Sequence, residues 1–167
     1  MVSPNSKHWL FQRLQALVYL GADSGMIMQI ERMGNVTFEL MNGLGTNMYN
    51  EYTNTLYWDP TTTSVYESDT TQRKWYATHP LAILAHELTH AFDDIVESPT
   101  HPDVMQHDIA EVHAVNAENT ARYRLFRVAG LQLWPRPGYT SEHKDIPTST
   151  VKAAWKSWWR SYHSAVY

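Results

Sequence analysis

Cysteine is absent from this chain. That removes disulfides, thiolate metal ligands and cysteine nucleophiles together, so any metal must be held by His, Asp or Glu. No apolar run approaches the roughly 18 to 20 residues that cross a bilayer, and no membrane span is expected. The opening stretch "MVSPNSKHWLFQRLQALVYLGADSG" lacks a clean secretory pattern, because Gln12, Arg13 and Gln15 interrupt its apolar core; it reads as an amphipathic helix. There is no block of like charges and no internal repeat. A net charge of −4 offers no electrostatic footprint for nucleic acid or an anionic membrane. Also missing is a Gly-x-Ser-x-Gly elbow, which argues against an α/β-hydrolase. The stretch "NGLGT" lacks the lysine of a phosphate loop and reads as a turn.

What is present fits one compact domain. A chain of 167 residues that is 43% hydrophobic and 18% charged can bury roughly two-thirds of its unfolded surface, so residues 1–167 are taken as a single domain. Helical spacing of Trp9, Leu10, Leu14, Leu17 and Val18 predicts a first helix over 6–20, ending near Gly21. Short, partly alternating runs follow at 26–33, 35–41, 54–59 and 63–68, separated by Gly34-Asn35, Asn42-Gly43-Leu44-Gly45 and Asp59-Pro60. They predict a small, mainly antiparallel sheet. From Thr78-His79-Pro80 the pattern turns helical to about Val96, with proline in the first turn. A second long helix is expected over 103–129, stopped by Gly130. A proline-rich loop "LWPRPGYTSEHKDIP" and a last helix from Thr148, carrying Trp155, Trp158, Trp159 and Tyr162 on one side, complete an α+β arrangement. Tryptophans at helical spacing are read as core residues.

The chemistry concentrates in "LAILAHELTHAFDDIV", residues 81–96. On a helix, positions i and i+4 lie one above the other, so His86 and His90 can reach a single point. The plain alternative is two surface histidines beside a solvated glutamate. Ala85, Leu88, Ala91 and Phe92 around them speak against it. His-Glu-x-x-His is a specific signal when helix, burial and a third ligand agree.

Zinc held by two histidines wants one more protein ligand and an open position for water. The downstream candidates are His101, Asp103, His107, Asp108, Glu111, His113 and Glu118. Glu111 lies 111 − 90 = 21 residues past His90, early on the second helix, and is the first choice. Glu118, on the same face one heptad later, is the alternative ligand or a supporting acceptor behind one; His107 and Asp108 stand behind both. Glu87 points roughly 100° around the helix from His86, so it faces the water that a zinc would hold and is the expected general base. An oxyanion donor is sought in Tyr139, with Arg136 and His143 beside it on the late loop; Tyr139 as a plain packing residue is the competing reading. Asp93 and Asp94, one turn past His90, are placed to orient a ligand imidazole or simply to be solvated.

"PLAILAHELTHAF", then "AEVHAVNAENTARYRL", then "GLQLWPRPGY" resemble, in that order, the NleD-like bacterial effector zinc metalloproteases. In that family a His-Glu-x-x-His helix precedes a glutamate, a Glu-Asn-x-x-Arg stretch and a late Arg-x-x-Tyr. Here these are Glu111, Glu118-Asn119-Thr120-Ala121-Arg122 and Arg136-Pro137-Gly138-Tyr139. "LYWDP" is similar to the strand that precedes the family's active-site helix, so the resemblance covers roughly residues 54–143. It implies a gluzincin-type zincin fold, with zinc held by His86, His90 and Glu111. It further implies a zinc endopeptidase with Glu87 as general base, a protein or peptide substrate, and delivery by a specialised secretion system into a target cell. Two other readings stand beside it: a zincin-like binding module without catalysis, and a self-processing protease domain of a larger toxin. An intact Glu87 speaks against the former.

Overall fold

The computed structural model describes residues 36–68, 73–97 and 105–136, with isolated helical positions in 12–15, at 32 and in 149–160. The architecture is α+β. Five strands, β1 (Thr37–Leu40), β2 (Met48–Asn50), β3 (Thr55–Trp58), β4 (Ser64–Ser68) and β5 (Arg73–Ala77), precede helices α1 (Pro80–Phe92) and α2 (Met105–Ala129). A π-helical turn, Asp93–Glu97, continues α1. Among the described residues no helix is long and apolar enough to cross a membrane.

The sheet is mixed where a mainly antiparallel one was expected. β3 is central: β1 pairs with it in parallel, Thr37 opposite Thr55, and β2 pairs antiparallel on its other side, Tyr49 opposite Leu56. β4 and β5 form a separate antiparallel hairpin. Runs 35–41, 54–59 and 63–68 supply β1, β3 and β4. In the run 26–33 the described position, Arg32, is helical rather than extended. Met, Gln, Glu and Arg dominate that run, and their helix propensity outweighs its weak alternation. Gln12, Arg13 and Gln15 are exposed helical positions within the expected first helix. The positions described in 149–160 are helical too, while the side chains of Trp155, Trp158, Trp159 and Tyr162 lie outside the described residues.

α1 starts where its sequence says it should. His79 is the N-cap, its Nδ1 accepting from the Leu81 N–H at 3.2 Å, and Pro80 takes the first helical position, where no donor is lost. Burial, helped by the charge of Arg13, lowers the His79 pKa and keeps that nitrogen free to accept. The helix is buried nearly all round: Leu81, Ala82, Leu84, Ala85, Leu88 and Ala91 join Leu56 and Trp58 of β3 and Ala121, Leu125 and Leu133 in one core. Trp58 also donates its indole N–H to the Pro80 carbonyl at 3.0 Å, which fixes the start of α1 on the sheet. α2 ends at Gly130, whose φ of +67° is a left-handed conformation that glycine adopts without strain.

Asp59, at the end of β3, organises the approach to β2. Its Oδ2 accepts from the Gly43 and Gly45 N–H groups at 3.0 and 2.7 Å. Its Oδ1 accepts from Thr61 N and Oγ1 at 2.9 and 2.6 Å. Burial alone would raise its pKa; these four donors outweigh it and hold the carboxyl at about 2. Asp59→Asn places an amide N–H₂ against N–H or O–H donors, and is expected to cost about 1.5–3 kcal/mol in denaturant unfolding at neutral pH. A folded pKa below the ordinary value means that the wild-type advantage is full above pH 3.8 and fades as the pH falls toward 2. An unchanged unfolding midpoint at pH 7 would contradict this role.

Candidate metal centre

α1 and α2 pack antiparallel: Thr78 meets Arg122, His86 meets Glu118, and His90 meets Glu111. This pairing brings residues distant in sequence to one point on the α1 face that carries both histidines. His86 Nε2 and His90 Nε2 are 3.1 Å apart. Glu111 completes a triangle, with Oε2 3.5 Å from His86 Nε2 and Oε1 3.3 Å from His90 Nε2. Three donors held about 2.0–2.2 Å from one tetrahedral ion lie roughly 3.4 Å from each other. The two histidine nitrogens, 3.1 Å apart, come close to that figure; Glu111 meets each of them with a different oxygen, and with one ligand atom from each residue all three lie within 4.8 Å of one another, so among the described residues His86, His90 and Glu111 are the group able to hold a metal ion.

Behind the triangle stands a buried charge network. Glu118, 1% exposed, lies with Oε2 3.2 Å from His86 Nδ1. Its Oε1 accepts from Arg122 Nε and Nη2 at 2.9 and 2.6 Å, and its Oε2 from Arg136 Nη1 at 2.8 Å. Arg122 also donates to the carbonyls of Ala77 and Trp134 and to Thr78 Oγ1, tying the end of β5 and the segment after α2 to the same point. Asn119 pairs with both backbone groups of Arg136, accepting from its N–H at 2.6 Å and donating to its carbonyl at 2.5 Å.

The consequence for His86 is electrostatic. Burial opposes a charged imidazole, but hydrogen bonding to Glu118 and its negative charge overcome it, and the pKa of His86 is raised. The pocket therefore favours positive charge at this point, the preference that a cation satisfies. With Nδ1 facing a carboxylate, the proton of a neutral His86 belongs there, and Nε2 is left with the lone pair that a metal takes.

Glu87 is buried beside the triangle and is not one of its corners. Its Oε2 accepts the backbone N–H of Tyr49, on β2, at 2.9 Å. Burial raises its pKa despite the pull of His86, His90 and the Tyr49 N–H in the other direction.

The remaining expected residues divide. Arg136 is drawn into the network behind the triangle, its Nη1 donating to Glu118 Oε2 at 2.8 Å, so it braces that carboxylate. Asp93 and Asp94 each meet a group outside the triangle. Asp93 Oδ2 lies 3.3 Å from Nδ1 of the half-exposed His113, and Asp94 accepts from the Tyr49 hydroxyl at 2.8 Å. That pairing also takes His113 out of the ligand candidates. His107 and Asp108 belong to α2 by backbone, but their side chains lie outside the described residues, as do Tyr139, His143, His101 and Asp103 entirely. Tyr49 was not anticipated, and Arg122 entered the reading only as the end of the Glu-Asn-x-x-Arg stretch, with no role given to it. The i, i+4 pair Glu118 and Arg122 was a readable sign for the second; a backbone N–H such as that of Tyr49 leaves no mark in residue type.

The ligand geometry makes a ranking. Glu111→Ala is expected to weaken metal binding far more than Glu118→Gln, which removes the negative charge behind His86 and should cost about 10- to 100-fold. Titration of both variants with a competing chelator checks this, and the reverse order would move the third ligand to Glu118.

Compared with protein-family models, with curated proteins and with solved structures, the chain finds no match in any of the three.

Proposed function

We propose that the chain is a zinc-dependent endopeptidase with a zincin-like fold, in which Glu87 serves as general base for attack of water on a peptide carbonyl. The observation that carries this reading is the convergence of His86, His90 and Glu111, one ligand atom from each within 4.8 Å of the others, with Glu87 buried beside them and its Oε2 held by the Tyr49 N–H. Two imidazoles and one carboxylate are the donor set of catalytic zinc sites, which keep a position open for water. A bound zinc supplies Lewis acidity there and lowers the pKa of a water it holds toward about 7.

The protein's own part is to keep the bases in place. His86 and His90 present Nε2 from one helical face, and Glu118 holds the first of them in its tautomer. With Oε2 of Glu87 committed to Tyr49, Oε1 is the oxygen able to accept a proton and later return it to the leaving amine. That the substrate is a protein of a target cell, and the chain an effector or toxin, rests on the NleD-like order of motifs.

Protein purified without added metal is expected to carry about one zinc per chain by elemental analysis, and to cleave casein in a reaction abolished by a chelator and restored by zinc. Less than a few tenths of an equivalent, with no gain on reconstitution, would overturn the proposal.

A further inference from the structure

Tyr49 occupies the middle of β2, a strand of three residues on the edge of its sheet. An edge strand has one side without a ladder partner, and its N–H groups there must find other acceptors. The N–H of Tyr49 finds Glu87 Oε2 at 2.9 Å. The other end of the same residue is also held, since its hydroxyl lies 2.8 Å from Asp94 Oδ2 and 3.1 Å from Asn54 Oδ1. Glu87 and Asp94 are seven positions apart on α1 and its π-helical continuation. Two turns of helix bring such positions back to one face, roughly 10 Å apart. One tyrosine laid along that face is fastened at both ends.

We infer that Tyr49, anchored through its hydroxyl to Asp94, is the positioning residue that holds the Glu87 carboxylate in place as general base. The inference rests on the proposed role of Glu87. A carboxylate beside a bound cation is drawn toward becoming a ligand, and a ligand is a poor proton acceptor. The Tyr49 N–H offers Oε2 a competing partner, so the carboxylate stays beside the metal point without joining it. A three-residue edge strand cannot do this unless it is itself fixed, and the phenol supplies the fixing. Burial, then the hydrogen bond to Asp94, then the charges of Asp94 and Glu51 raise the Tyr49 pKa, so the hydroxyl stays protonated and committed to Asp94.

The test uses the zinc-loaded full chain and a readout that needs no turnover. In wild type the amide of residue 49 is expected to be protected from hydrogen exchange. Tyr49→Phe keeps the ring and the N–H but loses the anchor. Exchange at position 49 should then accelerate about tenfold, the loss of one hydrogen bond to a charged group. Asp94→Asn, which removes the charge with little change of shape, should act in the same direction. Neither variant should lose zinc. Both should lower kcat by about tenfold with KM within twofold, since the base and not the substrate is displaced. Wild-type exchange at residue 49 in Tyr49→Phe would overturn the inference, and so would accelerated exchange with unchanged kcat. Full turnover in Glu87→Gln would instead remove the general-base reading, so the two failures are told apart in different proteins.

Discussion

Under the proposed function, Glu87→Gln is expected to retain the fold and the zinc while losing turnover by about 10²- to 10⁴-fold, the range that a positioned general base contributes. The substitution is nearly isosteric. The amide oxygen can still accept the Tyr49 N–H, so the contact between α1 and β2 survives. What disappears is the second oxygen's ability to take a proton. Because Glu87 is not a corner of the metal triangle, zinc content should stay near one equivalent, and measuring metal and casein cleavage in one preparation separates loss of chemistry from loss of metal. Activity within a few fold of wild type would remove Glu87 from the role of base.

Glu118→Ala is expected to be the most destabilising single change at the site. The substitution leaves Arg122, fully buried, without its carboxylate, and takes from Arg136 the same partner. Removing one member of a buried ion pair costs about 3–5 kcal/mol, because the cation left behind is neither solvated nor neutralised. In a chain of this length that corresponds to a fall of roughly 6–20 °C in Tm. The pH dependence has a definite sign. Burial on its own would raise the Glu118 pKa, but Arg122, then His86 and Arg136, pull it well below its usual 4.5. The stabilising effect is therefore complete above that value and is lost as the pH falls through the lower folded one. Thermal melts of wild type and variant should be far apart at pH 7 and converge on acidification. A constant gap down to pH 3 would contradict the network.

The two-histidine face was readable because it depends on spacing along one helix. His86 and His90 stand four apart in a run whose other members are apolar, and helix geometry does the rest. β1, β3 and β4 were readable for a similar reason: each is a short run bounded by turn residues. β2 was not, since Met48-Tyr49-Asn50 is too short to show alternation, and β5 opens with Arg73 and Lys74, which carry little strand signal. The parallel pairing of β1 with β3 is a relation between segments, and composition does not encode it. Arg136 shows the same limit at the site. As a residue type beside a tyrosine in a loop it reads as an anion donor, yet its partner Glu118 sits eighteen positions earlier on α2. The buried stripe of α2 is interrupted by Glu118, Asn119 and Arg122 at its centre, which is why hydrophobic periodicity describes that helix poorly.

The strand order also carries information about time. β2 and β3 are joined by only four residues, 51–54, so their hairpin closes a short loop. Pairing Thr37 with Thr55 must close a loop of 55 − 37 = 18 positions that runs through β2 and the 51–54 turn. Closure entropy rises with loop length, and parallel pairing offers no tight turn to lower it. The hairpin should therefore form early and β1 dock late. Substitutions in the 51–54 turn should slow refolding, while truncations of Phe38 or Leu40 should chiefly hasten unfolding. By this order the strand that meets Glu87 is in place before the sheet is complete.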